Sequence, residues 1–347
     1  NWSLCTDSGK NLFKPGKTPR QNAQFLVFLA AFIKGIDEYQ DWLRCTVAYA
    51  GNDHRLGGGE APPAILSIFL GDELTAVVDS IIRGANYTNP EKSVLRIGVD
   101  VLPPIPKDTT DRNRTSPFAF TGNKFEFRML GSSQSIAGPN IALNTIMAEE
   151  LGRFADTLEA ADDFDAALQQ IICDAFTAHQ RIIFNGNGYS EEWEEEAERR
   201  GLLNLRTTPD ALPYYLSEKN IRLFSTHKVF SETEIRSRYE ILMENYSKII
   251  GIEALTMIEM VRKDILPAVS AYAAHLSENA VAKTSFMAGV SCDFERETVS
   301  IIGTLTAELY GLLGELEVAS SKAKSITNVT DQAIFYKDQV LTVMSDI

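Results

Sequence analysis

Cysteine is scarce in this chain of 347 residues: Cys5, Cys45, Cys173 and Cys292 stand far apart and form no CxxC pair. That spacing fits free thiols in a reducing cytoplasm better than a disulfide framework or a zinc site. Histidine is equally scarce, and His54, His179, His227 and His275 show no metal-ligand spacing and no HExxH. Neither a nucleophile elbow nor a dinucleotide fingerprint occurs, so hydrolase and dehydrogenase chemistries lose support. Positive charge is in deficit, with 33 Lys and Arg against 47 Asp and Glu and a net charge of -14. Such a balance argues against nonspecific nucleic-acid binding and against attraction to an anionic membrane surface. Any phosphate site is then a local basic pocket on an acidic protein. No uninterrupted apolar run reaches membrane-spanning length, since Phe25 to Ile33 is too short and Lys34 follows it. No signal peptide heads the chain. It opens on Asn1 rather than Met, which reads as a processed chain or a fragment.

What is present suits a globular protein, with 44% hydrophobic residues and length enough for two domains. Gln21 to Leu43 carries Phe25, Phe28, Leu29, Phe32, Ile33 and Ile36 at helical spacing. Gly51 to Pro63 reads as a loop dense in glycine and proline. Ala64 to Leu70 reads as a buried strand or a short helix, and Val94 to Val101 as a strand ended by prolines. After Gly138-Pro139 the pattern turns helical. Between Ser190 and Gly201 six glutamates precede Arg199 and Arg200, the charge order a helix dipole favours on a solvated surface helix. Two apolar stripes, Ile235-Tyr239-Leu242-Tyr246-Ile249 and Val299-Ile302-Leu305-Leu309-Leu312-Leu313-Leu316, predict an antiparallel helical bundle.

The chemistry concentrates in two segments. From Asp111 to Arg128 a polar turn with Arg112 and Arg114 precedes an alternating strand. Lys124, Glu126 and Arg128 share one face of it, while Phe125 and Phe127 hold the other against a core. Alternation alone describes the wet face of any antiparallel sheet. The neighbouring arginines raise the functional reading, because two cations flanking one carboxylate suit a site for anions and one metal ion. The second segment is Gly51-Asn-Asp-His-Arg-Leu-Gly-Gly-Gly-Glu-Ala-Pro-Pro63. No Gly-Lys-Ser/Thr follows, so it is not a P-loop. Three glycines between Arg55 and Glu60 suit a loop that closes over a site.

Asn52 to Pro63 and Asp111 to Gly131 together closely resemble the C-terminal half of type III glutamine synthetases. Asn1-Trp-Ser-Leu4, Gly9-Lys-Asn-Leu-Phe13, Phe184-Asn-Gly-Asn-Gly-Tyr-Ser190 and Gly201-Leu-Leu-Asn204 are similar to further stretches of the same family. The resemblance covers essentially the whole chain. It implies an α+β fold, with part of a curved antiparallel catalytic sheet in residues 1–150 and a helical C-terminal region in 151–347. It also implies ATP-dependent amidation of L-glutamate: ATP phosphorylates the side-chain carboxylate, and ammonia displaces the phosphate. Such chemistry needs cations around a transferring phosphoryl group and a divalent ion, Mg2+ or Mn2+, held by carboxylates.

By this resemblance Arg55 and Arg128 bind glutamate, and Glu126 is a metal ligand. Glu60 is the flap carboxylate that closes the site and helps take a proton from ammonium. Arg114 contacts nucleotide phosphate, and Ser3 and Lys124 lie near ATP. The chain departs from type I enzymes at three places. Lys124 stands where they carry an arginine, a point charge in place of a forked donor. Phe118-Ala-Phe120 occupies the stretch of a further arginine, and Asn1 falls where they have a second histidine. The family's other metal glutamates and its catalytic histidine match nothing here. An isolated chain with one metal carboxylate is therefore expected to bind magnesium poorly and to lack synthetase activity. The resemblance further implies a cytoplasmic, ring-based homo-oligomer. Two other readings are a glutamate ligase for another amine, and a noncatalytic oligomerisation or regulatory half-protein. The joint presence of Arg55, Glu60, Arg114, Glu126 and Arg128 counts against the last.

Overall fold

The computed structural model describes residues 1–59, 61–84, 94–95, 105–106 and 114–347. They form two compact units, Asn1–Tyr239 and Glu240–Ile347.

In the first unit Asn22 caps α1 (Ala23–Glu38) by accepting the Phe25 N–H at 3.1 Å. Phe25, Leu29, Phe32, Ile33 and Ile36 are buried, as their spacing predicts, while Phe28 is half-buried. Two short helices follow, α2 (Gln40–Cys45) and α3 (Ala50–Arg55). α3 corrects the expectation of a loop from Gly51, since the loop proper begins at Leu56. A six-residue helix containing glycine has little stability of its own, and α3 is held from outside. Asn52 Nδ2 donates to the carbonyls of Val47 and Met129 at 2.9 and 3.0 Å. The Asp53 carboxylate accepts from Arg44 at 3.0 Å and from the N–H and hydroxyl of Thr208 at 2.6 and 2.9 Å.

Within 64–70 the chain forms β1 (Ile68–Phe69), then α4 (Asp72–Ile82). Of the strand expected over Val94 to Val101, only β2 (Val94–Leu95) lies among the described residues, paired antiparallel with β3 (Ile105–Pro106). β4 (Phe118–Phe120) and β5 (Phe125–Phe127) complete a sheet of order β1-β4-β5. β4 and β5 pair antiparallel as expected, but β1 and β4 run parallel. A parallel pair needs a long crossover, and the chain from α4 to β4 supplies it. The small sheet is therefore mixed, within a mainly helical α+β chain.

Register puts Phe118 opposite Phe127 and Phe120 opposite Phe125, so all four rings share one face. α1 covers it, with Phe32 stacked on Phe125 at 3.7 Å between centroids and edge-on to Phe118 at 5.6 Å. Trp2 and Phe13 close the same cluster.

α1 also packs on α5 (Ala137–Glu159) and α6 (Phe164–His179). Then come α7 (Glu191–Arg199), α8 (Thr208–Ala211), α9 (Glu218–Thr226) and α10 (Glu232–Met260). The acidic α7 is less solvated than its charges suggest. Its Trp193 is buried and stacks on Phe184 at 3.7 Å, with the Arg200 guanidinium 5.5 Å from the indole. Ser190 stands at its start without a side-chain capping bond.

α5 also carries a titrating contact. Burial opposes ionisation of Glu149, but its hydrogen bond to His227 at 2.8 Å and the nearby Arg153 guanidinium outweigh that and lower its pKa below 4.5. A lowered carboxylate contributes stability above its unfolded pKa and loses it as pH falls through the folded value. Glu149→Gln is therefore expected to destabilise the chain at pH 7 by no more than about 1 kcal/mol, because Arg153 is one-third exposed. Urea midpoints at pH 7 and pH 3 check this: the difference between variant and parent should shrink at pH 3.

In the second unit α10 continues to a π turn at Val261–Ile265, then α11 (Leu266–Phe286) and α12 (Asp293–Ser325). α13 (Val329–Phe335), a π turn at Tyr336–Val340 and α14 (Leu341–Asp346) end the chain. α11 packs along α12, as a bundle requires. Of the stripe expected on α10, Ile235, Tyr239 and Tyr246 are buried and Leu242 and Ile249 half-buried, while Met243, Ile250 and Ala254 are buried beside them. On α12 Leu313 and Leu316 are buried, but Leu305 is 57% exposed. By length and composition α12 could cross a membrane, with an 18-residue window of mean hydropathy 1.2. Glutamate and glycine interleave with its apolar residues, so it contains no uninterrupted apolar run.

Candidate anion-binding site

β5 sets the site by alternation. With Phe125 and Phe127 turned toward α1, Glu126 takes the opposite face, and Lys124 and Arg128 flank it there. The residue across the ladder from Glu126 is Ala119, fully buried and with only a methyl group to present. Arg128 Nη2 donates to Glu126 Oε2 at 2.9 Å, and the two side chains are 19% and 21% exposed. Both sequence-predicted residues are thus in contact on a partly desolvated face, where a charge pair is stronger than in bulk water.

Arg55 joins them from the end of α3. Its Nη1 donates to Asn52 Oδ1 and the Met129 carbonyl, both at 3.1 Å, and its Nη2 to the Arg128 carbonyl at 3.2 Å. Three of the five guanidinium N–H groups are so used, leaving two. Arg55 therefore fixes the backbone just beyond β5. The Arg44–Asp53–Thr208 contacts hold α3 in register behind it; burial raises the Asp53 pKa, with Arg44 and Thr208 opposing.

Ser3 is brought to the same strand. Trp2 and Phe125 exchange backbone hydrogen bonds at 2.8 and 2.9 Å, and Ser3 Oγ donates to the Asn123 carbonyl at 2.8 Å while accepting from Asn11. Its hydroxyl ties down the turn before Lys124. Arg114 is exposed and makes no ion pair among the described residues. Its turn is latched to the Asn185–Tyr189 loop, where Thr115 Oγ1 accepts the Gly188 N–H at 2.8 Å. A Cβ at Gly188 would collide with the Thr115 carbonyl oxygen, so glycine is required there. Glu60 and Arg112 lie outside the described residues.

Two stretches that the sequence marks only by their family likeness, 184–190 and 201–204, supply supporting residues to which it assigned no role. Asn185 accepts the N–H groups of Leu70 and Gly71 at 3.1 Å and donates to Thr75 at 2.7 Å, pinning the end of β1. The signal was the repeated Asn-Gly of 185–188, which reads as a turn and not as a clamp. Gly201-Leu-Leu-Asn204 serves likewise: Asn204 bridges Ile65, and the Leu203 N–H donates to Gln40 at 2.8 Å.

Among the described residues no group of three or more His, Cys, Asp or Glu side chains could hold a metal ion. Magnesium demands several oxygen ligands in near-octahedral array, and Glu126, the carboxylate that β5 places on this face among the described residues, already accepts from Arg128. These residues alone do not fit a Mg2+ or Mn2+ centre.

A family model described as the glutamine synthetase C-terminal domain matches residues 167–284. The chain is 44% identical over its whole length to a glutamine synthetase of Butyrivibrio fibrisolvens, covering 50% of that protein. It is 50% identical over 282 residues to a type-3 glutamine synthetase of Dictyostelium discoideum, which is 80% of this chain and 38% of the relative. A glutamine synthetase of Bacteroides fragilis (strain YCH46) is 39% identical over the whole chain and 49% of its own length. The chain spans about half the length of the curated relatives it matches, or less. With identity of 39–44% over the whole chain to two glutamine synthetases, the chain belongs to the glutamine synthetase family, type III enzymes included among its relatives.

Proposed function

We propose that the chain contributes the glutamate- and phosphate-facing side of an ATP-dependent glutamate–ammonia ligase. The observation that carries this reading is the Arg128–Glu126 pair on the open face of β5, with Arg55 anchored to the backbone directly after it. The Arg128 fork takes the carboxylate of L-glutamate, and the two N–H groups left on Arg55 orient it. Arg114 and Lys124 face the nucleotide phosphates, where fixed cations stabilise charge on the transferring phosphoryl group. Glu60 accepts a proton as ammonium becomes the attacking ammonia. Glu126 offers one ligand position to a divalent ion, whose other ligands belong to the half of the relatives' length that this chain does not match. Residues 1–150 then form part of the catalytic domain and 151–347 the family's helical region, in a cytoplasmic ring-shaped homo-oligomer.

A chimera in which this chain replaces the matched half of the Butyrivibrio fibrisolvens relative tests the proposal. It should form glutamine and release phosphate from glutamate, ammonia and ATP, while the 347-residue chain alone should release none. Ammonia-dependent phosphate release by the chain alone would refute its incompleteness. A folded chimera active only with another amine would instead select the amine-ligase reading.

A further inference from the structure

We propose that a cavity within the unit Glu240–Ile347 binds a small carboxylate carrying an apolar body. The cavity measures about 480 Å3, in the range of a small-metabolite site, and lies between α10 and the segment from Lys324 to Tyr336. It involves none of the residues assigned to catalysis above.

Three features of its wall point to a ligand. Ser247 is 3% exposed, and its Oγ has no hydrogen-bond partner. A buried hydroxyl left unpaired is costly, and rotation of the Ser247 side chain would turn its Oγ, now closed to solvent, toward an occupant of the adjoining cavity. Tyr336 is also buried, and burial raises its pKa, so its hydroxyl stays a protonated donor. The phenol packs against Gly251, where a Cβ would sit 3.0 Å from its oxygen. Tyr336 also begins the π turn Tyr336–Val340, an irregularity often placed at functional positions.

The charges choose the ligand class. Lys248 and Glu244 both line the cavity, but they pair with each other at 2.9 Å and cancel. Lys324 is exposed at the wall and makes no ion pair among the described residues. At the end of α12, Gln332 Nε2 donates to the carbonyls of Ala323 and of the capping residue Ile326 at 3.0 and 3.1 Å, which lessens their repulsion of an anion. One uncancelled cation suits a singly charged carboxylate better than a phosphate dianion. Ile252 and Leu255, 64% and 46% exposed, supply an apolar wall that a hydrocarbon body covers.

Hexanoate, 1-hexanol and hexyl phosphate, titrated into the 347-residue chain and followed by calorimetry and by NMR of the Tyr336 ring, test the assignment. Hexanoate should bind saturably and about tenfold more tightly than hexanol, the size of one charge-assisted hydrogen bond. Lys324→Gln, at an exposed position, should remove that tenfold advantage without changing the urea midpoint. Ser247→Ala should weaken hexanoate by about threefold, the size of a modest neutral hydrogen bond. Absence of saturable hexanoate binding, or binding unchanged in both variants, would overturn the proposal. Tighter binding of hexyl phosphate would overturn the carboxylate assignment.

Discussion

Replacing Arg128 with lysine in the chimeric ligase should lower kcat/KM for glutamate by about a hundredfold, and replacing it with alanine by about a thousandfold. Those factors correspond to about 2.7 and 4 kcal/mol of transition-state stabilisation, the scale of removing one preorganised donor from a desolvated site. The lysine variant keeps the charge and loses the fork, so the gap between the two variants measures geometry against charge. Arg128 is partly exposed and its ion pair joins residues two apart on one strand, so stability should change little. Kinetics with glutamate varied at saturating ATP, alongside urea midpoints, separate the two effects. A loss under about fivefold in both variants would mean that Arg128 only partners Glu126, and its glutamate-binding role would fall.

Phe125→Ala should cost about 3–5 kcal/mol, the usual penalty for emptying a buried aromatic site. Phe125 is fully buried, stacked on Phe32 at an interplanar angle of 15°, edge-on to Phe13 at 5.2 Å and beside Phe120. Few neighbours can collapse into the space, because Phe13, Phe32 and Phe118 already hold one another. A lowered urea midpoint at unchanged m would report this loss as stability. The site should suffer with the strand: Glu126 is the next residue, and its orientation depends on Phe125 being anchored across the pleat. A cost under about 1 kcal/mol would show that the cluster is not the core that orients β5.

The face of β5 was legible from sequence because strand alternation has period two. Once Phe125 and Phe127 are assigned to a core, Lys124, Glu126 and Arg128 have one place left to point. α1 was legible for the same kind of reason, with apolar residues at helical spacing, although the break at Tyr39 within the expected Gln21–Leu43 was not. The sequence motifs of Arg55, Arg128 and Glu126 also carried the family. Elements that depend on distant partners were not legible. α3 falls within a stretch, Gly51 to Pro63, whose density of glycine and proline reads as a loop, while the contacts that enforce the helix come from Met129 and Thr208. The buried face of α10 takes Ile235, Tyr239 and Tyr246 as expected but Met243 and Ile250 in place of Leu242 and Ile249, since adjacent apolar residues are alike and only packing ranks them. The parallel pairing of β1 with β4 depends on a crossover about fifty residues long, which no local pattern encodes. Sequence by itself determined which residue types occupy the site and which face of β5 they share. Only the tertiary structure decided that Arg55 grips the backbone at 128 and 129, and that Asn185 and Gly188 brace the site from the helical half. Those are hydrogen bonds and close approaches between residues far apart in the chain, and local periodicity holds no record of them.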